Sequence, residues 1–351
     1  IDYEIDDYMT FTTNGNGQDF DGYNYAFGDN GNAFVAIGTG GYFSLIAGVH
    51  ANTFTGSGVF LNPLGVTDAA SFAPITASLT PGELVTLVGS GLSSSTLATQ
   101  GGQPFPTKLG GVEVLVNGMP APIYYVSPGQ ISAILPYELA TTNAVVASIQ
   151  VNNNGVTSNA VTQYTNDALP GVFSQTQNGI GYAIAIHTAG AAAGKLVTEA
   201  SPAVANEYLA VFLTGLGTVT PSITDGAPGP STTLSYADQF TAGYLGVYFD
   251  DYNNNEFEPG NVTFAGLAPG LAGLYQINVQ VPTGVGPGDV YFEVFTDDAD
   301  VIQIQVPVGG SGTAIAAAAE HARTGPVRVH RRPMAVRSRT PKNSPRLQSP
   351  R

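Results

Sequence analysis

The sequence predicts an all-β protein: two tandem β-sandwiches, a small β-region before them and a basic tail after them. Three observations carry that expectation. The 44 Gly and 24 Pro supply turns, while 17 Tyr and 17 Phe join many Val, Ile and Thr in strand-forming stretches. Turn formers set between β-branched and aromatic residues favour strands over helices. Apolar runs of five to seven residues also recur with Gly- and Asn-rich turns between them, at the spacing of a sandwich. Finally, one part of the chain repeats another.

The repeat is seen most easily in GQISAILP (129–136), which returns within GLYQINVQVP (273–282). Placing Gln130 on Gln276 puts Ile131 on Ile277, Leu135 on Val281 and Pro136 on Pro282. An earlier segment, GELVTLVGSGL (82–92), returns as NEYLAVFLTGLG (206–217), with Glu83 on Glu207 and Gly91 on Gly215. A later one, VVASIQVNNNGV (145–156), corresponds to DVYFEVFTDDADVIQIQVPV (289–308). Three segments in one order indicate a duplicated domain. The offset grows from 124 to 146 residues, so the second copy carries an insertion, which falls at the acidic stretch 238–264.

Residues 1–63 form the N-terminal β-region. It opens with IDYEI, where Ile1, Tyr3 and Ile5 alternate with acids in the period-two pattern of a half-buried strand. NAFVAIG and GYFSLIAGV follow, between Asn-Gly, Asp-Gly and Gly-Gly turn signals. Residues 64–168 make the first sandwich and 169–309 the second. Residues 310–351 form a Pro-rich tail with almost no large apolar side chains, expected to be disordered on its own. The tail reads equally as an interaction segment and as a remnant foreign to the fold.

Charge is split between body and tail. The tail holds nine of the eleven Lys and Arg and one acid, Glu320, for a net +8. The other 309 residues carry 25 acids against Lys108 and Lys195, a net −23. Such a body repels nucleic acid and anionic membranes, so neither is an expected partner. No apolar run reaches the length needed to cross a bilayer. The absence of Cys excludes disulfides, thiolate metal sites and a cysteine nucleophile. The first residue is Ile1, not Met, which reads as a processed product. That fits an extracellular or cell-surface location after removal of a signal peptide.

The motifs NPLGVTDAASFAP (62–74), LTPGELVTLVGSGL (79–92), LGGVEVLVNGMPAPIYYVSPGQISAILPYE (109–138), LPGVF (169–173), TGLGTVTPSITDGAPGP (214–230) and AGLAPGLAGLYQINVQVP (265–282) occur in order. In them the chain resembles an uncharacterised family of exported acidobacterial proteins, known by a C-terminal domain first catalogued from Solibacter. Each half is also similar to an IPT/TIG-type immunoglobulin-like domain. The resemblance implies export and tandem immunoglobulin-like sandwiches, and it implies no reaction and no catalytic residues. Residues 1–63, the insertion and the tail lie outside it.

Enzyme motifs are mostly absent: there is no nucleophile elbow, zinc helix or phosphate loop. GTGG (38–41) and GSG (56–58) sit between strands and read as hairpin turns. His50 and His187 stand among apolar or small neighbours, and His321 and His330 fall in the tail. A lone histidine of this kind is expected to be structural or exposed, and a triad assembled from distant residues ranks below that. The candidate chemical site is DDYNNNEFEPG (250–260). Asp251, Asn253 and Asn255 have the alternate spacing of hard oxygen ligands, and Glu256 or Glu258 adds a carboxylate, Glu258 being the one carried forward, so Ca²⁺ is the candidate cofactor. A helix-loop-helix calcium motif fails, because its Gly and Glu positions hold Glu256 and Val262. The competing reading is a polar hairpin loop. An isopeptide crosslink is not expected, since Lys108 and Lys195 occupy non-equivalent places in the two halves.

Three functions remain in order. The first is a structural subunit of an extracellular fibre or surface layer that self-assembles by strand pairing. In it, residues 1–11 act as a donor strand through Ile1, Tyr3 and Ile5, against the alternative of a strand paired within its own chain. The second is an adhesion or carbohydrate-binding module whose partner is an extracellular polysaccharide, with Tyr from DGYNYAFGDNG (21–31) stacking on sugar rings. A hydrolase with paired carboxylates comes last, and the expectation is a protein that is not an enzyme.

Overall fold

The computed structural model describes residues 2–3, 26–29, 32–39, 42–46, 58–72, 77–100, 102–141, 146–251 and 256–310. The chain divides into two compact units, one of residues 1–6 with 53–320 and one of 7–52 with 321–351. The fold is nearly all β. The basic tail lies outside the described residues, as do Ile1 and Ile5.

β1 (Asp2–Tyr3) belongs to the first unit. Within the second unit, β2 (Ala26–Asp29), β3 (Asn32–Thr39) and β4 (Tyr42–Ile46) form an antiparallel three-stranded sheet. The pairings Asp29 with Asn32 and Thr39 with Tyr42 leave two connecting residues each, Asn30-Gly31 and Gly40-Gly41. These are the dipeptides that two-residue hairpins require.

The first sandwich is built from β5 (Phe60–Asp68), β6 (Leu84–Ser90), β7 (Leu97–Ala98), β8 (Val112–Val116), β9 (Met119–Ala121), β10 (Ile123–Val126), β11 (Gln130–Ile134), β12 (Val146–Asn153), β13 (Val156–Thr157) and β14 (Val161–Tyr164). One layer runs β5-β6-β11-β10-β7; the other runs β13-β12-β8-β9, with β14 also on β12. Alternation decides which side chains meet. Val112, Val114 and Val116 of β8 and Ala147, Ile149 and Val151 of β12 point inward against Leu87, Ile131 and Ala133 of the facing layer. Each fully buried Val or Leu contributes roughly 1.5–3 kcal/mol. Asn117 and Gly118 close the β8–β9 hairpin at φ +51° and +80°, the left-handed pair that an Asn-Gly turn supplies.

The second sandwich contains β15 (Gly171–Val172), β16 (Ala185–His187), β17 (Tyr208–Thr214), β18 (Val219–Thr220), β19 (Tyr236–Ala237), the one-turn α1 (Asp238–Thr241), β20 (Gly246–Asp251), β21 (Glu256–Leu267), β22 (Tyr275–Gln280), β23 (Gly288–Phe295) and β24 (Asp300–Val308). These strands make one continuous sheet in the order β24-β23-β20-β21-β22-β17-β15, with β1 against β24. The sheet folds over at β21. Its first half pairs with β20, its second half with β22, and the register slips between Val262 and Phe264. Such a bulge lets one strand serve two layers. Phe249, Phe292 and Ile304 of one layer then pack in the same core as Val211, Leu213 and Ile277 of the other.

The duplication extends to strand register. In the first sandwich Gln130 pairs with Val88 and Ile131 with Leu87. In the second, Gln276 pairs with Phe212 and Ile277 with Val211, the partners that the two sequence offsets require. The stretch 238–264 contributes α1, β20 and most of β21, so the insertion adds a hairpin to the sheet.

Candidate functional site

The most informative chemistry lies where each copy enters its central strand. Glu83 and Glu207 both fold back on the preceding turn: Thr80 N donates to Glu83 Oε2 at 2.7 Å, and Val204 N donates to Glu207 Oε2 at 3.1 Å. The residue before each glutamate has a left-handed backbone, Gly82 at φ +72° and Asn206 at +66°. The carbonyl of each accepts an equivalent N–H, Leu135 in one copy and Val281 in the other. The partners of the remaining carboxylate oxygens differ completely.

Glu207 meets His187, whose Nδ1 lies 2.5 Å from its Oε1. His187 sits on β16, which pairs with β17 two residues beyond Glu207. The other ring nitrogen, Nε2, lies 3.1 Å from the carbonyl oxygen of Ser201 and 3.2 Å from its Oγ. Sequence reasoning treated His187 as isolated; folding gives it a serine and a glutamate in the order of a hydrolytic triad. The arrangement ties β16 to the turn before β17 and to the 198–201 turn. Nδ1 has the Glu207 carboxylate as its partner, and Nε2 faces both the carbonyl and the hydroxyl of Ser201. The neighbouring N–H groups of Thr198, Ser201, Ala203 and Val204 are all hydrogen-bonded.

Glu83 instead meets a second carboxyl group, Asp68, at the end of β5. Both are buried, 2% and 5% exposed. Asp68 Oδ1 accepts from Ala70 N, Ser71 N and Ser71 Oγ at 2.6–2.9 Å. Asp68 Oδ2 is buried and meets no hydrogen-bond donor. Burial first, and the Asp68 charge second, hold Glu83 well above the usual carboxylate range. Burial raises Asp68 too, so the buried pair disfavours the charged form of both carboxyls, of Glu83 more strongly.

This pair sits at the joint between the sandwiches. Asp68 presses on the backbone of Gly171, where a Cβ would lie 2.2 Å from Oδ1. Leu84 N donates to Thr214 Oγ1 at 2.7 Å, across from one sandwich to the other. Tyr275, fully buried, donates to Gly217 O at 2.5 Å and shares a 3.0 Å hydrogen bond with Tyr137 Oη of the first sandwich. Tyr137 N and Phe105 N donate across the joint to Asp225 Oδ1 and Gly226 O. Burial raises Asp225 to about 6, helped by Glu138 beside it. A small apolar cluster of Phe105, Ile134 and Ala272 fills the space below. The linker is held too: Asp167 N donates to Asp298 Oδ2 at 3.0 Å. The sandwiches are therefore fixed to each other by buried, directional bonds. A flexible tether would show none of these.

The candidate cation ligands are placed differently from one another. Asp251 ends β20, 1% exposed, and its Oδ2 accepts from Gly286 N at 2.9 Å. Glu258 is two residue pairs down the same hairpin, opposite Phe249, while Asp251 faces Glu256. Asn253 and Asn255 lie outside the described residues. Among the described residues no three His, Asp or Glu gather as a metal site. The sugar-stacking tyrosines of 21–31 also fall outside the described side chains. On the outer face of the insertion hairpin, Tyr248 is stacked between Phe257 and Phe295, with centroids at 4.1 and 5.3 Å. Those rings cover one another's faces and offer a sugar little open surface. Lys108 pairs with Glu113 at the surface and Lys195 is exposed.

Of residues 1–11, the candidate donor strand, Asp2 and Tyr3 are described, as β1. Asp2 pairs with Ile302 and Tyr3 with Val301, antiparallel, in the same chain.

An IPT/TIG domain model matches residues 70–165, so the first sandwich is an IPT/TIG immunoglobulin-like domain. No curated protein matches the chain. Among solved structures, the chain is similar to SGBP-B of the Bacteroides ovatus mixed-linkage glucan utilization locus, solved with a mixed-linkage heptasaccharide. The identity is 12% over 66% of this chain and 43% of that one, with TM-score 0.26. It is also similar to the Escherichia coli adhesin FdeC, at 12% identity over 79% and 74% of the two chains, TM-score 0.21. Domains 5–6 of the S-layer protein SbsC match at 8% identity over 72% and 99%, TM-score 0.24. The chain spans less than half the length of the first of these, and likenesses at this level carry no functional argument.

Proposed function

We propose that this protein is a structural component of the cell exterior, a self-assembling subunit of a surface fibre or layer. The observation that carries the reading is the joint. Two sandwiches bonded through Leu84–Thr214, Tyr137–Tyr275 and Tyr137–Asp225 transmit force as one body. A protein whose task is to hold position gains from that stiffness. Export, as in the acidobacterial family the sequence resembles, belongs to this proposal. So does calcium at the 250–260 hairpin, with Asp251, Asn253, Asn255 and Glu258 as its ligands.

Negative-stain electron microscopy of the purified chain, with Ca²⁺ and then with chelator, tests the reading. Regular filaments or sheets are the expected result, and their loss on chelation would tie Ca²⁺ to assembly. Dispersed particles in both conditions, together with a saccharide-array signal, would replace self-assembly by adhesion to polysaccharide.

A further inference from the structure

The register shared by the two sandwiches lets their outward faces be compared position by position. On β6 and β11 the outward side chains are Leu84, Thr86 and Val88, opposite Ile134, Ser132 and Gln130. On β17 and β22 the same places hold Tyr208, Ala210 and Phe212, opposite Gln280, Asn278 and Gln276. The first sandwich builds this face from aliphatic and hydroxyl side chains with one amide, and Leu84 and Ile134 serve the joint. The second has two aromatic rings and three amides. Since the same backbone folds without them, their presence needs a reason beyond folding.

Their arrangement is a shallow trough. Tyr208 is 37% exposed, and Phe212 is half-buried about 14 Å further along the strand. Ala210 between them is buried and small, so it makes a floor with a ring at each end. Ile186 of β16 pairs with Ala210 and widens that floor. On the other side, Gln276 Nε2 donates to Asn278 Oδ1 at 2.7 Å and Gln280 Nε2 donates to Asn206 O at 3.1 Å, which holds the amides in place. Each amide keeps a donor or acceptor that no described residue uses. Beyond Phe212 the trough ends at the first sandwich, because the next outward residue, Thr214, is fully buried and accepts Leu84 N. No outward position of β16, β17 or β22 carries a charge, in a body with 25 acids and two lysines.

We propose that this trough binds a neutral polysaccharide, laid along β17 with sugar rings on Tyr208 and Phe212. A pyranose has an apolar C–H face and a rim of hydroxyls. The face stacks on an aromatic ring. The hydroxyls, each a donor and an acceptor, match side-chain amides, which are both as well. Uronate or sulfate groups would meet no cation here and would be repelled by the acidic body, so the sugar is an uncharged one. The rings of Tyr248, Phe257 and Phe295 lack this openness, since they cover one another. The inference is separate from self-assembly and stands or falls without it.

Electrophoresis of the native full chain through gels containing hydroxyethyl cellulose, laminarin, galactomannan or dextran tests the proposal, with alginate as the anionic comparison. Retardation by at least one neutral polymer and none by alginate is the expected result. Tyr208→Leu and Asn278→Ser install the side chains that the first sandwich has at the equivalent positions. Each should weaken binding about tenfold or more, as the loss of one ring or hydrogen-bond contact does. Thermal midpoints near the native value show that the variants are folded, and Gln280→Ala supplies the same reading if Tyr208→Leu melts early. Passage unretarded by every neutral polymer overturns the proposal. So does retardation that the folded variants leave unchanged, or that alginate matches. A concentration-dependent dimer lost in Tyr208→Leu, without retardation in any gel, overturns it too and assigns the face to contact between copies.

Discussion

Glu83 and Glu207 hold the same position in the two sandwiches, 124 residues apart, yet one faces a carboxyl group and the other an imidazole. The shared part, a carboxylate oxygen accepting the N–H three residues earlier, fixes the turn that launches the central strand. The unshared part reflects where each glutamate lies. Glu83 is at the joint, and Glu207 is beside β16 on the far side of the second sandwich.

Replacing Glu83 by Gln is expected to stabilise the protein at neutral pH. The amide keeps the acceptor for Thr80 N and offers an N–H to Asp68, without the cost of holding a proton in a buried carboxyl. Relieving one poorly satisfied buried polar contact is worth about 1–3 kcal/mol. Chemical denaturation at pH 7.5 should show the midpoint rising for Glu83→Gln and falling for Glu83→Ala.

The joint should tighten in acid. Glu83, Asp68 and Asp225 all have raised folded values, caused first by burial, so the folded state binds more protons than the unfolded one. Their contribution is fully present below the unfolded carboxylate range and is lost as pH climbs through the folded values. For Asp225 that window runs from the ordinary 3.8 to about 6. Urea midpoints measured from pH 4 to pH 8 should fall with rising pH, and Asp225→Asn should flatten the slope between 4 and 6. An unchanged slope would remove Asp225 from the account.

His187 and Ser201 separate a brace from a catalyst. His187→Ala leaves the Glu207 carboxylate without its partner and should cost about 3 kcal/mol, near the low end for breaking a largely buried pair. Ser201→Ala keeps the carbonyl that His187 contacts and should cost under about 1 kcal/mol. Fluorophosphonate probes should label neither the native chain nor the variant. Labelling abolished by Ser201→Ala would make the cluster a hydrolase site.

The all-β class and the repeated segments were readable from sequence, because strand alternation and repetition are local or periodic signals. Glu83 on Glu207 was readable as an alignment. Its partners were not: Asp68 comes into place only when β5 pairs with β6 in the register Asp68 to Val85. His187 meets Ser201 and Glu207 through two strand pairings and a turn, at separations of 14 and 20 residues that match no motif. The bend of β21 was hidden because a bulge at 262–264 leaves no mark in an exposed, polar strand. The expectation that His187 stands alone failed for the same reason that most polar pairs escape sequence reasoning. They are long-range and carry no period.

Gly171 tests the joint by volume alone. A Cβ there would overlap Asp68 Oδ1 at 2.2 Å, a buried group with no room to retreat. Gly171→Ala should cost roughly 1–3 kcal/mol, as overpacking does, and should loosen one sandwich from the other. Calorimetry should then resolve two transitions where the native chain shows one.

The most direct test of the account is the distance between the two sandwiches. Val156 and Tyr244 are exposed, at 55% and 50%, one in each sandwich. Spin labels on a Val156→Cys/Tyr244→Cys chain, read by pulsed dipolar spectroscopy at pH 6, should give a single narrow distance distribution, broadened by Gly171→Ala. A broad or multiple distribution in the otherwise native chain would mean that the joint does not hold the sandwiches as one body, and the structural reading built on it would fall.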